Sequence, residues 1–231
     1  MRSYNGAPAH TDTIPAGTNV WRVHRTDSTH APNSFNSTAI APLVDALTIN
    51  TRTTRIPRQG RFDPVHDDTI CPGGASLGGY LYLGISIGSV VAEGILRATD
   101  IPKTGVLSAA AFAGLSLTRM QLARPANVAI LDTQIGLAAI NQDASLTGCS
   151  WRDYRSSRIT CTKILVNTPA ADGVRYRCRN GVDEHALMLI NRHAPAEPTI
   201  VDTGDLGTAG WARDLIVSSL YDDFGITVDL P

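Results

Sequence analysis

The chain has 231 residues, 24.6 kDa in mass, with 43% hydrophobic and only 18% charged residues, and 20 basic against 21 acidic side chains. Such a composition supports a substantial core and excludes a disordered chain. The near-zero net charge gives no cationic field for nucleic acid, so no direct nucleic-acid partner is expected.

No stretch approaches the roughly 18 consecutive apolar residues of a membrane span, and MRSYNGAPAH carries no apolar signal region. A cytoplasmic location is the expectation, and with it four reduced cysteines, Cys71, Cys149, Cys161 and Cys178. All basic residues except Lys103 and Lys163 are Arg.

In chain order, residues 1–19 read as a loose arm with Pro8, Pro15 and Gly17, followed by one domain over 20–231. Asn19 to Arg25 alternates with period two and predicts a half-buried strand. Residues 26–38 read as loop, and 39–50 as a short helix with Pro42 in its first turn. Arg52, Arg55, Arg58 and Arg61 then recur every three residues across Pro57 and Gly60, which break a helix and predict an Arg-rich loop with a turn at Gly60. Residues 64–79 form a Gly-rich loop without a GxxxxGK[ST] or GxGxxG fingerprint.

Tyr80 to Leu83 is a short strand, and Ser86 to Arg97 a helix capped by Ser86 or Ser89. A weakly alternating segment follows at 115–122, then an apolar strand from Asn127 to Leu131. Residues 133–142 predict a helix with Ile135, Ala138 and Ala139 inward. A second helix is expected over Ser156 to Val166, with Ile159, Thr162 and Val166 on its inner side. Val174, Tyr176 and Cys178 share one face of a strand after the Asp172-Gly173 turn. Residues 185–191 and 198–202 are further strands, and 211–220 is mixed. Strands and helices interleave without a regular βαβ repeat, which points to α+β: one domain of mixed, twisted sheet with flanking helices.

The chemistry-bearing residues come from separate places. Arg61 follows a turn glycine, Tyr82 lies in a strand, Glu93 is early in the next helix, and Arg22 interrupts an apolar strand. An Arg and a Glu in one cleft would hold an anionic substrate and stabilise a developing cation, and Tyr would offer a flat face to a ring. The bland reading of the same residues is a Glu93–Arg97 helix pair, a core Tyr82 and a surface Arg61. Two further readings are a thiol nucleophile at Cys178 between Arg177 and Arg179, and a metal at Asp183-Glu184-His185 or Asp67-Asp68. No HExxH occurs, a solvated loop is the bland reading of Asp67-Asp68, and strand neighbours such as Arg177 and Arg179 face the side opposite Cys178.

Four pieces in order resemble the RES-domain family: Val20-Trp21-Arg22-Val23, Gly60-Arg61-Phe62-Asp63, Leu81-Tyr82-Leu83-Gly84 running to Ala92-Glu93, and Asp172-Gly173-Val174 leading to Arg177-Cys178-Arg179. They span residues 20 to about 190. Two departures stand out: Cys178 replaces the family serine, and the Gly-rich 64–79 stretch is an insertion that would lid the cleft or mark a subfamily. The resemblance implies an ADP-ribosyltransferase-like fold and an NAD-consuming toxin neutralised by a helix-turn-helix antitoxin. It implies catalytic roles for Glu93, Arg61 and Tyr82, and NAD contacts from Arg22, Arg61, Tyr82 and Cys178, without a metal or a true cofactor. Water or inorganic phosphate would attack C1′, so glycohydrolase and phosphorylase both stay open. So do ADP-ribosyl transfer to a macromolecule, a degenerate domain that binds without turnover, and a homo-oligomer.

Overall fold

The computed structural model describes residues 1–37, 60–96, 104–181, 183–192 and 197–229. The helix expected at 39–50, most of the Arg-rich stretch and Arg97 lie outside them.

An eight-stranded mixed sheet forms the frame. Its strands are β1 (Thr11–Ile14), β2 (Asn19–Arg25), β3 (Tyr80–Gly84), β5 (Leu115–Gln121), β6 (Ala126–Leu131), β7 (Gly173–Arg177), β8 (His185–Ile190) and β9 (Thr199–Asp205). Two short strands, β4 (Val106–Ser108) and β10 (Thr227–Asp229), pair in parallel apart from it. The order across the large sheet is β1-β6-β7-β8-β3-β2-β5-β9. Among the described residues only β6 and β7 run parallel within it. The helix α4 (Tyr154–Asn167) makes their crossover, as parallel neighbours require.

The seam between β2 and β3 positions the site. Whereas β2 pairs with β5 from Asn19 to Arg25, it meets β3 only at Trp21 and Gly84. Beyond that point the strands part. The loop after β2 enters the gap, where Asn36 pairs with Tyr80.

Helices cover one face of the sheet on either side of the seam. Beside β3, β6, β7 and β8, α4 packs Cys161, Ile164 and Leu165 against Val174, Tyr176 and Met188. Beside β2 and β5, α1 (Ile87–Val90), its continuation to Ile95 and α5 (Trp211–Phe224) bury Val91, Leu117, Ile216 and Leu220. On the other face Val20, Leu83, Met120, Val128 and Leu187 share one cluster. Strands from both sides of the seam contribute to it. The molecule is thus the α+β domain of mixed, twisted sheet with flanking helices that the pattern predicts.

Several local expectations shift. The 1–19 arm is not loose: residues 11–14 form the edge strand β1 on β6, and the Ala9 amide bonds Thr168 Oγ1 at 2.9 Å. The short helices α2 (Gln134–Ala139) and α3 (Ser145–Gly148) follow β6. In α2, Ile135 is 75% exposed and Ala138 is also outside, while Leu137 and Ile140 face the core. In α4 Thr162 is inward as expected, but Ile159 and Val166 are only half-buried, and the rest of the inner side is Tyr154, Ser157, Arg158, Cys161, Ile164 and Leu165, because buried polar groups occupy positions that an apolar pattern passes over. The Gly-rich stretch contributes no residue to the cleft at the seam. It packs on α4 instead, with Val65 N–H donating to Thr162 Oγ1 at 3.0 Å.

Candidate functional site

Ser86 and Ser89 cap α1 reciprocally, the Ser89 amide reaching Ser86 Oγ at 2.9 Å and the Ser86 amide reaching Ser89 Oγ at 3.1 Å. The helix then widens into a π turn over Val91–Ile95, closed by the Leu96 amide on the Val91 carbonyl five residues back. Such widened turns are rare and redirect side chains. Here the turn carries Glu93, whose side chain is 18% exposed.

Arg61 lies behind Glu93, with Nη2 3.6 Å from Glu93 Oε1, an ion pair too long for a hydrogen bond. The Arg61 side chain is only 3% exposed. The Phe62, Tyr154 and Tyr176 rings stand 5.7, 5.9 and 5.7 Å from its guanidinium carbon. Among the described residues its Nε and Nη1 have no hydrogen-bond partner, so the ring faces replace conventional acceptors. Burial alone would lower its pKa; the Glu93 carboxylate and the surrounding Tyr and Cys groups outweigh that and hold it up. Arg61 is therefore a fixed cation. The Arg179 backbone N–H, 3.1 Å from Glu93 Oε1, completes the clamp on the carboxylate.

Tyr82 meets this assembly through Gly60-Arg61-Phe62-Asp63. Its hydroxyl donates to Asp63 Oδ1 at 2.9 Å and accepts from the Phe62 amide at 2.8 Å. The Gly60 amide bonds Asp63 Oδ2 at 2.6 Å. A Cβ on Gly60 would collide with the Asp63 carboxylate and the Tyr82 hydroxyl, so the turn closes this tightly only with glycine. Burial, before any other cause, raises the pKa of Asp63. Arg158, 2% exposed on α4, donates from Nε to the Asp63 carbonyl at 3.1 Å.

Where β2 and β3 part, Trp21, Val23, Tyr82, Glu93, Gly94 and Tyr176 line a cleft of about 220 Å³. Arg22 lines it too, and also walls a second depression of about 220 Å³ under the loop after β2. Its Nη1 donates to the Pro32 carbonyl at 2.7 Å. Four of the five residues singled out in sequence thus surround one cleft, Arg22, Tyr82 and Glu93 directly and Arg61 from behind.

Cys178 does not line it. The residue is 3% exposed, and its thiol points at the Ser89 carbonyl 3.9 Å away. Burial first, then Glu93 and Glu184, pushes that thiol up, which removes the thiolate a nucleophile needs. Among the described residues no group of three or more His, Cys, Asp or Glu side chains is placed to hold a metal ion, and no helix is long and apolar enough to cross a membrane.

Sequence reasoning missed Tyr154, Tyr176, Asp63 and Arg158 as supports. Asp63 lies within the quoted Gly-Arg-Phe-Asp piece and was within reach. Arg158 gives no local sign, since only the fold turns it inward.

No family model matches the chain, and no curated protein matches it significantly. Among solved structures, a chain of the crystal structure of the M. tuberculosis MbcT–MbcA toxin–antitoxin complex is similar in fold, with a TM-score of 0.52. The alignment has 14% identity and covers 84% of this chain and 86% of that one.

Proposed function

We propose that this protein is an NAD-degrading enzyme of the RES-domain kind, the toxin of a toxin–antitoxin pair. Three things support the reading: the ordered RES-like pieces, the likeness in fold to a chain of a toxin–antitoxin complex, and the cleft. The single observation that carries it is the Glu93 carboxylate on the cleft, backed 3.6 Å away by the buried Arg61.

In this reading nicotinamide enters between Tyr82 and Trp21. The C1′–N1 bond breaks, its electron pair neutralises the pyridinium nitrogen, and the ribose becomes an oxocarbenium-like cation. Glu93 stabilises that charge. Water adds to C1′ and loses a proton, leaving ADP-ribose; phosphate in its place leaves the 1-phosphate ester. The first cleft is smaller than the roughly 300–1,000 Å³ usual for drug-sized ligands. It suits the nicotinamide riboside half alone, and the depression beyond Arg22 suits the other half. Arg22 then takes the diphosphate between them. Arg61 holds Glu93 in place and Cys178 fills space beneath α1.

The test is incubation with NAD, with and without inorganic phosphate, followed by mass analysis. Nicotinamide release together with ADP-ribose or its phosphate ester is expected. Intact NAD after prolonged incubation overturns the assignment. The partner is expected to be a helix-turn-helix antitoxin that blocks the cleft, and co-purification with the product of an adjacent gene tests that.

A further inference from the structure

The largest depression described lies away from the Glu93 cleft. It encloses about 470 Å³ at the carboxyl ends of the parallel strands β6 and β7, between α2 and α3. Parallel strands leave a crevice at this end, where ligands commonly bind.

Two buried acceptors line it. Asp132, directly after β6, has a side chain 4% exposed. Its Oδ2 is taken by Arg175 Nε at 2.6 Å, but its Oδ1 meets no donor among the described residues. Gln142 is 2% exposed, and its Oε1 is likewise unpartnered. The amide cannot be turned over to cure this. Its Nε2 donates to the carbonyls of Arg2 and Asn141, both at 3.0 Å, and an oxygen in that place would face two acceptors.

Unmet buried acceptors cost about 1–3 kcal/mol each. Arg175 divides its charge between Asp132 and Asp12, and the His185 ring stands 3.8 Å from Asp132 Oδ2. The two carboxylates thus keep one net negative charge, while Asp132 Oδ1 and Gln142 Oε1 still call for N–H donors. At the rim Arg2 is neutralised by Asp143 at 3.2 Å, and Arg177 adds one positive charge.

We propose that this crevice is a binding site for a single cationic head, a guanidinium or primary ammonium, inserted between Asp132 Oδ1 and Gln142 Oε1. Arg177 repels a second positive charge, so polyamines gain nothing over a monocation. A free small cation and an arginine side chain on a partner segment share this chemistry. The inference does not depend on NAD turnover.

The test titrates the intact protein with n-butylguanidinium and n-butylammonium at constant ionic strength, by calorimetry and ligand-observed NMR. Saturable one-site binding with a Kd on the order of 1 mM is expected. Asp132→Asn, which puts either oxygen or an N–H toward the ligand without net charge, should weaken it at least about tenfold. Ala138→Phe, an exposed position on the rim that fills the crevice without touching the core, should do the same. Acetyl-arginine methylamide binding in competition would identify a partner's side chain as the source; its failure alongside butylguanidinium binding would identify a free cation. No saturable binding up to about 10 mM, as when water alone satisfies both oxygens, overturns the proposal. So does a Kd indifferent to both variants, or spermidine binding several-fold tighter than the monocations.

Discussion

The Arg61–Glu93 pair combines a buried cation with a carboxylate at the cleft edge, so its two members should respond differently to substitution. Glu93→Gln keeps an acceptor near Arg61 but loses the charge. On the proposed function, NAD cleavage should fall at least about 100-fold, while a urea midpoint should register a loss of only about 1–3 kcal/mol. Arg61→Met strips the carboxylate of its counter-charge and should lower turnover more than it raises KM, since Arg61 does not line the cleft. Tyr82→Phe removes the hydroxyl that joins Asp63 to the Phe62 amide. It should cost about 1–3 kcal/mol of stability yet leave most of the activity, because the ring remains. Cys178→Ser should keep activity, since the side chain faces the Ser89 carbonyl. If Cys178→Ser abolished cleavage while the fold persisted, the thiol would have a chemical role after all.

At the scale of elements, the π turn and the strand beside it are the sensitive parts. Gly94 lies on the cleft, and a Cβ there would stand 3.0 Å from Val23 Cβ. If the cleft takes NAD as proposed, Gly94→Val should therefore raise its KM. On β2, His24 bonds Thr118 Oγ1 through Nε2 at 2.8 Å. Burial, and to a smaller degree Arg22, lowers its pKa from the ordinary value near 6.5. The folded state therefore binds the His24 proton less readily than the unfolded chain. Its contribution to stability is full above about pH 6.5 and declines as pH falls below it. His24→Gln should flatten that acid limb in thermal melts from pH 7 to 5.

Which elements could be read in advance follows from their patterning. β2, β3, β6 and β8 alternate or run apolar over at least four residues, and all four are found. Three of the four β1 residues are polar and only Ile14 is buried, so nothing in Thr11-Asp12-Thr13 marks it as paired. The inner side of α4 holds Ser157, Arg158 and Thr162, which hydrogen-bond to the Arg61 carbonyl, the Asp63 carbonyl and the Val65 amide. A rule that places apolar residues inward therefore rotates the helix wrongly. Arg61, Tyr82 and Glu93 are singled out by motif order and not by spacing. Tyr154 and Tyr176 come from distant segments that only the folded chain brings together.

Across the whole molecule, all four cysteines are free and buried. A thiol reagent should react slowly with the native protein, then with four groups once it is denatured. Reductant should leave the melting temperature unchanged. The edge strand β1 is held by Ile14 in the core and by Asp12 on Arg175 at 2.7 Å. Removing residues 1–14 should expose the flank of β6 and lower the melting temperature.

The two halves of the large sheet meet at one backbone pair, Trp21 with Gly84, and each half carries its own helices. That junction is a natural fold line. Flexing there would leave both helix-side clusters whole and strain only the cluster the halves share on the other face, where Val20 and Met120 pack with Leu83 and Leu187, so that cluster limits how far the gap can open. Deuterium uptake should be faster at amides along the unpaired stretches of β2 and β3 than along the β2–β5 ladder, and should slow when the gap is filled.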